Sequence, residues 1–304
     1  MEETVLISRL REKLEEEDLV PESRQRVLID MRGYLGWHRG TYGSDLDPDD
    51  IMISSMDLAE FRTFLLRTCQ PNTVTRKLAS IRKALLILAP AVLTSLRMPK
   101  VPESKKPAPS GFTKKERLSI MRAVGKLSTR DRAICMALLW TGARASSIAA
   151  LKLSNVDARP RSGSVTFDVL KGGRGGRTIT VPANVELREA LSAWIGERPP
   201  VQHDFLFTSD RFPFDGITRW TIHDIWHRRL ARELPRELAE KLKGPHQARH
   251  ALARLLLDQG VPVPDVAAIL GHSSVATTAN IYMRPSERDL RNHLDRAVGE
   301  DGED

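Results

Sequence analysis

Residues 98–116 read MPKVPESKKPAPSGFTKKE, and they decide how the rest of the chain divides. The stretch holds four prolines, several lysines and few large apolar residues. Proline fixes φ and removes a backbone donor, so such a run neither continues a helix nor pairs in a sheet; it behaves as a semi-rigid linker. Apolar residues resume at regular spacing on both sides. The expected organisation is a helical domain over residues 1–104, a linker over 105–112, and a second domain with a C-terminal tail over 113–304. A length of 304 residues fits two domains better than one or three.

Upstream of the linker the period is helical. PESRQRVLIDMRGYLGWHRG places Val27, Leu28, Met31, Tyr34 and Leu35 on one face, SMDLAEFRTFLLRTC follows a cap-like Ser55, and NTVTRKLASIRKALLILAP is a third helix. The third carries Arg76, Lys77, Arg82 and Lys83. They suit a solvated helix face, and they are equally spaced to follow a phosphate backbone.

Downstream, a helix starts near Lys114, and LSTRDRAICMALLWTGARASSIAALKLSNVD reads as two helices with a turn at Thr141-Gly142. After Asp157 the period changes from 3.6 to 2. SVTFDVL and RTITVP alternate as the arms of a hairpin around the turn GGRGG, with Lys171 at the tip and Arg174 and Arg177 beside it. From Glu186 onward the pattern is helical again, interrupted by a Pro- and Phe-containing loop around residues 199–216. The fold class expected is mainly α with a small β-hairpin or sheet.

Net charge is +8, which favours a polyanionic partner, nucleic acid or an anionic membrane surface. Two domains joined by a strap containing Lys105 and Lys106 could close around a cylinder such as duplex DNA. No run approaches the roughly 20 apolar residues of a membrane span. The N-terminal MEETVLISRLREKLEEEDLV is charged and amphipathic rather than a signal peptide, so a soluble, cytoplasmic and nucleoid-associated protein is expected. Cys69 and Cys135 lie far apart, without zinc-ligand spacing, and read as small buried hydrophobes.

Four fragments carry candidate chemistry. GPHQARHALARLLLDQG places His246, Arg249 and His250 three and four positions apart, on one face near a helix N-terminus, where they suit an anion or simply a polar helix start. LGHSS offers His272, which would also serve as a loop histidine. WTGAR sets Arg144 among apolar residues, where a phosphate or a carboxylate must meet its charge. Tyr282, in TTANIYMRP, is one of only three tyrosines in the chain, so any tyrosine chemistry after residue 42 falls on it. A cluster of guanidinium groups without a metal-ligand carboxylate pair suits a phosphodiester, whose non-bridging oxygens arginine grips bidentately. A phenol of ordinary pKa about 10 would need such positive surroundings to attack near neutrality. No cofactor and no metal are expected.

Taken in order, Arg144 in TGARASSI, Lys171, His246-Gln247-Ala248-Arg249-His250, Leu270-Gly271-His272 and Tyr282 resemble the tyrosine recombinase, or phage integrase, family. The resemblance covers most of the chain. It implies a helical core-binding domain before a catalytic domain, and double-stranded DNA carrying a recombination site as the substrate. It implies a homo-tetramer on two duplexes, with a paralogous recombinase as the other arrangement. By the same resemblance Arg144 and Arg249 would bind the scissile phosphate, and Tyr282 would attack it to give a 3′-phosphotyrosyl link. Lys171 would be the general acid, His246 the general base, His272 a hydrogen-bond donor to the phosphate, and His250 a supporting residue. Ser147 departs from the acidic residue that often braces the first arginine, and Ala143 and Ala248 replace commonly larger residues. With no further domain ahead of the first helical one, a simple Xer-like or transposon-type member is expected. The alternatives are a type IB topoisomerase-like enzyme and a DNA-binding architectural protein without activity.

Overall fold

The computed structural model describes residues 4–102, 111–159, 161–168, 178–272 and 274–282. The chain divides into two compact units, Met1–Lys106 and Pro107–Asp304. The division falls inside the proline-rich stretch, whose Lys105 and Lys106 lie outside the described residues.

The first unit is helical, as its period requires: α1 (Val5–Glu15), α2 (Pro21–Tyr42), α3 (Ser55–Leu66), α4 (Pro71–Leu88) and α5 (Pro90–Ser95). Pro21 and Pro71 open α2 and α4, where a missing N–H costs nothing. Leu10, Met31, Tyr34, Leu58, Ile81 and Leu85 form the centre of its core. The cap of α3 is Ser54, not the expected Ser55. A capping box needs its acidic residue three positions after the cap, and Asp57 satisfies that only from Ser54: Asp57 N–H donates to Ser54 Oγ at 3.1 Å and Ser54 N–H to Asp57 Oδ2 at 2.7 Å. The Ser55 hydroxyl instead accepts from the Arg97 amide at 2.8 Å.

Three of the four α4 cations are engaged within this unit. Arg76 and Lys77 both meet the Asp30 carboxylate, at 2.5 and 3.4 Å, and Lys83 pairs with Glu17. Asp30 is buried, and a buried carboxylate needs such compensation. Arg82 is exposed, with no ion pair among the described residues.

The second unit begins with α6 (Lys114–Val124), capped reciprocally by Thr113 and Glu116, followed by α7 (Thr129–Thr141) and α8 (Ala145–Ala149). The hairpin is present as β2 (Ser164–Asp168) and β3 (Thr178–Pro182), with Val165 opposite Val181 and Phe167 opposite Ile179. A third strand, β1 (Val156–Asp157), pairs antiparallel with β2; two residues are too few to show a period of 2. The turn holding Lys171, Arg174 and Arg177 lies outside the described residues. Then come α9 (Val185–Glu197), α10 (Arg219–Asp224), a π-helical turn over Ile225–Leu230, α11 (Arg236–Lys241), α12 (His246–Asp258), α13 (Val263–Leu270) and α14 (Val275–Tyr282). The later helical pattern SERDLRNHLDRAVG also lies outside the described residues. Helix α7 packs on α9 and α12, and Ile134, Leu138, Ile148, Leu187, Leu191, Phe207 and Trp226 are fully buried around it. No helix among the described residues is long and apolar enough to cross a membrane.

A buried ion network fastens the loop at residues 208–210 and the π-helical turn to α7. Arg130 and Asp131 are 4% and 2% exposed. Arg130 donates to Asp131 Oδ1 at 2.7 Å and to the Thr208 carbonyl at 2.8 Å, and Arg229 bridges Asp131 at 2.8 Å and Asp210 at 2.7 Å. Removing one partner leaves uncompensated buried charge, so Asp131→Ala should cost about 3–5 kcal/mol. Denaturant unfolding of the variant checks this; a change below about 1 kcal/mol, the usual range for exposed pairs, would refute it.

Candidate active site

Two tight helix ends and one helix start build the site. Helix α7 stops at Gly142, whose φ of +60° is left-handed. A Cβ there would lie 2.7 Å from Leu270 Cδ2, so glycine alone lets the turn sit this close to α13. Two residues on, Arg144 occupies the N-cap of α8. The second helix end is Gly271, φ +68°, where a Cβ would lie 2.0 Å from Ile179 Cδ1. It delivers His272.

The first turns of α12 supply the rest. Arg249 is 2% exposed; its Nη1 donates to the Gly142 carbonyl at 2.9 Å, and its buried Nη2 has no hydrogen-bond partner among the described residues. Burial first, and the Arg144 charge second, lower its pKa to about 10, which still leaves it charged at neutrality. Arg144 is half-buried and also lacks a hydrogen bond or ion pair among the described residues. Ser147 and Asp168 line the same small cavity as the two arginines, without a bond to either. No carboxylate therefore answers the Arg144 charge within that set.

Three imidazoles surround the arginines. The rings of His246 and His250 meet edge to face with centroids 4.6 Å apart. His272 Nδ1 lies 2.6 Å from the buried Thr278 hydroxyl. Burial, then neighbouring histidine and arginine charge, lowers His246 to about 4; burial, then Arg249 and Arg144, does the same to His272. His250 is lowered by burial and Arg249. All three are neutral at pH 7, so among the described residues the positive charge of the site resides on its guanidinium groups.

Tyr282 packs through its ring and bonds through its hydroxyl. Its ring is 4% exposed among Leu252, Ala253, Val266 and Leu270, while its hydroxyl lies 2.5 Å from His250 Nδ1. Burial raises its pKa to about 12, and Arg249 offsets only part of that rise. The positive surroundings the sequence suggested are present, yet in the free protein desolvation outweighs them.

The lowered histidines fix a pH dependence. The folded pKa values of His246 and His272, near 4, lie below the ordinary 6.5, so unfolding takes up protons across that window and stability rises with pH there. The melting temperature of the protein should fall as pH drops from about 6.5 towards 4, and His272→Asn should flatten that slope. Thermal scans at pH 7.5, 6 and 5 measure it; a flat wild-type profile would contradict the buried-neutral assignment.

The structure thus gathers Arg144, His246, Arg249, His250, His272 and Tyr282. Lys171 lies outside the described residues. Three features escaped the sequence: the His250–Tyr282 hydrogen bond, Thr278 as partner of His272, and the Gly142 carbonyl as an anchor for Arg249. Only the i, i+4 spacing of His246 and His250 hinted at the first.

Residues 111–288 match the model of the phage integrase family, and the chain belongs to this family, the tyrosine recombinases. The chain is 29% identical over 202 residues to the tyrosine recombinase XerA of Pyrococcus furiosus, covering 66% of this chain but only 65% of that relative's length. It is 28% identical over 264 residues to the tyrosine recombinase XerD of Mycobacterium tuberculosis, covering 79% of this chain and 80% of the relative. The fold is similar to that of the Tn1549 transposon integrase in complex with transposon right-end DNA, with a TM-score of 0.71 and 17% identity over 97% of this chain and 100% of the other. It is also similar to the XerH site-specific recombinase bound to its difH substrate, with a TM-score of 0.64 and 20% identity over 88% and 76%.

Proposed function

We propose that this protein is a site-specific DNA recombinase that cleaves and rejoins double-stranded DNA through a 3′-phosphotyrosyl intermediate on Tyr282, without metal or ATP. The observation that carries the reading is the buried Nη2 of Arg249, which has no acceptor among the described residues, beside an Arg144 that is unpaired within the same set. Two such guanidinium groups suit the non-bridging oxygens of one phosphate and would stabilise charge that develops as phosphorus becomes pentacoordinate. His272 and His246, neutral at pH 7, would hydrogen-bond the phosphate and assist proton movement, and Lys171 would protonate the leaving 5′-oxygen. Storing the bond as a phosphotyrosine lets a second 5′-hydroxyl reseal the strand. The net charge of +8, Arg82 on α4, and the basic residues Lys105, Lys106, Arg174 and Arg177 support a DNA partner. Relatives named as recombinases favour strand exchange over relaxation of one duplex, and the homo-tetramer on two duplexes is what the family resemblance implies for that exchange.

The test uses a duplex retained from a random-sequence pool by this protein, then made with a nick beside the scissile bond. Wild-type protein should give a covalent protein–DNA band on a denaturing gel, undiminished by excess chelator. A reaction that chelator stops would overturn the metal-free chemistry, and absence of any band would overturn the covalent mechanism. Exchange between two differently labelled duplexes separates recombination from relaxation.

A further inference from the structure

The Tyr282 hydroxyl proton needs an acceptor, and the geometry supplies one that the family resemblance does not. Resting on the reading above, we infer that His250, rather than His246, is the base that takes this proton when Tyr282 attacks the phosphate. The Tyr282 oxygen lies 2.5 Å from His250 Nδ1, within the reach required of a general base. His246 has no hydrogen bond to Tyr282 among the described residues. It packs against the His250 ring instead. Accepting at Nδ1 places the remaining N–H of the neutral ring on Nε2.

The groups facing His250 explain why the nucleophile stays protonated in the free protein. Arg249 and His246 come from its own helix, His272 from the end of α13 and Tyr282 from α14. Burial and the Arg249 charge keep the imidazole neutral and weakly basic, and burial holds the phenol near 12. A phosphate seated against Arg144 and Arg249 brings a negative charge that offsets the Arg249 field at the ring, so the basicity of His250 rises as the scissile bond arrives. Base and nucleophile are thereby switched on by the substrate.

In the step itself the Tyr282 O–H bond breaks and its proton moves to His250 Nδ1. The phenolic oxygen forms the bond to phosphorus, the bond from phosphorus to the 5′-oxygen breaks, and that oxygen takes a proton from the Lys171 ammonium. On resealing, the His250 imidazolium returns its proton to the departing phenolate.

The experiment measures single-turnover formation of the covalent band, from pH 5 to 9, on the pool-selected nicked duplex made with either oxygen or sulfur as the 5′ leaving atom. His250→Ala and His250→Asn should both slow the reaction by about 10²- to 10⁴-fold, the usual contribution of a general base. Asparagine offers a hydrogen-bond acceptor but takes no proton, so it separates positioning from proton transfer. A sulfur leaving atom needs no acid and should rescue neither variant. The acid limb of the wild-type profile should vanish in both variants, and added imidazole should restore part of the rate to His250→Ala.

Near-normal cleavage by His250→Asn would reduce His250 to a positioning residue and overturn the proposal. So would rescue by sulfur, faster cleavage in His250→Ala, or loss of the acid limb in His246→Ala alone. A second measurement does not depend on those variants folding. In Tyr282→Phe, which cannot cleave, the His250 pKa followed by NMR should rise when the duplex binds; no rise would remove the substrate coupling. No wild-type band, or a band that persists in Tyr282→Phe, would instead defeat the recombinase reading itself.

Discussion

Replacing Tyr282 by phenylalanine is expected to abolish the covalent protein–DNA band while leaving folding and DNA retention close to wild type. The ring fills an apolar cluster of α12, α13 and α14 residues, and phenylalanine keeps that volume, so no cavity forms. The substitution removes the hydroxyl and with it the hydrogen bond to His250, which contributes about 1 kcal/mol net. Chemistry is affected differently, because no other tyrosine can substitute: Tyr34 and Tyr42 lie in the first unit. A covalent band of wild-type intensity in Tyr282→Phe would sink the nucleophile assignment. Melting curves recorded alongside separate loss of chemistry from loss of fold.

The Arg249→Met variant should lose cleavage by about 10²- to 10³-fold, the scale for removing one preorganised donor to a transition-state oxyanion, and yet be no less stable than wild type. The guanidinium is buried beside Arg144, and its pKa falls from 12.5 to about 10. At 1.36 kcal/mol per unit that corresponds to roughly 3 kcal/mol of unfavourable charge burial. Methionine removes that cost along with the bond to the Gly142 carbonyl, worth about 1 kcal/mol, so the melting temperature should stay level or rise. Histidine titrations give a further readout. Arg249 is among the causes that lower His250 and His272, so both should move back towards 6.5 in the variant. Cleavage within a few-fold of wild type would refute the phosphate-binding role, and a large drop in stability would refute the claim that the charge is held there for function.

Much of the second unit was legible because its signals are local. The break in the proline-rich stretch, the turn at Thr141-Gly142 and the change to a period of 2 after Asp157 each need only neighbouring residues. The two-residue strand β1 was not, since pairing alone makes it a strand. In the first unit the cations of α4 were plain, but the carboxylates they meet were not: Asp30 lies 46 positions from Arg76 and Glu17 lies 66 from Lys83. A pattern that suits a phosphate backbone is indistinguishable in sequence from one that holds helices together.

The sequence by itself singled out Arg144, His246, Arg249, His250, His272 and Tyr282 and the order in which the chain delivers them, because helix period, glycine turns and caps act over a few residues. Only the tertiary structure decided how those groups behave. It buried Arg249 with an unsatisfied donor, kept three histidines neutral, raised the Tyr282 phenol and joined it to His250 rather than His246. Each outcome depends on desolvation and on charges brought within a few ångströms by packing between helices far apart in the chain. Those energies do not exist until the helices meet.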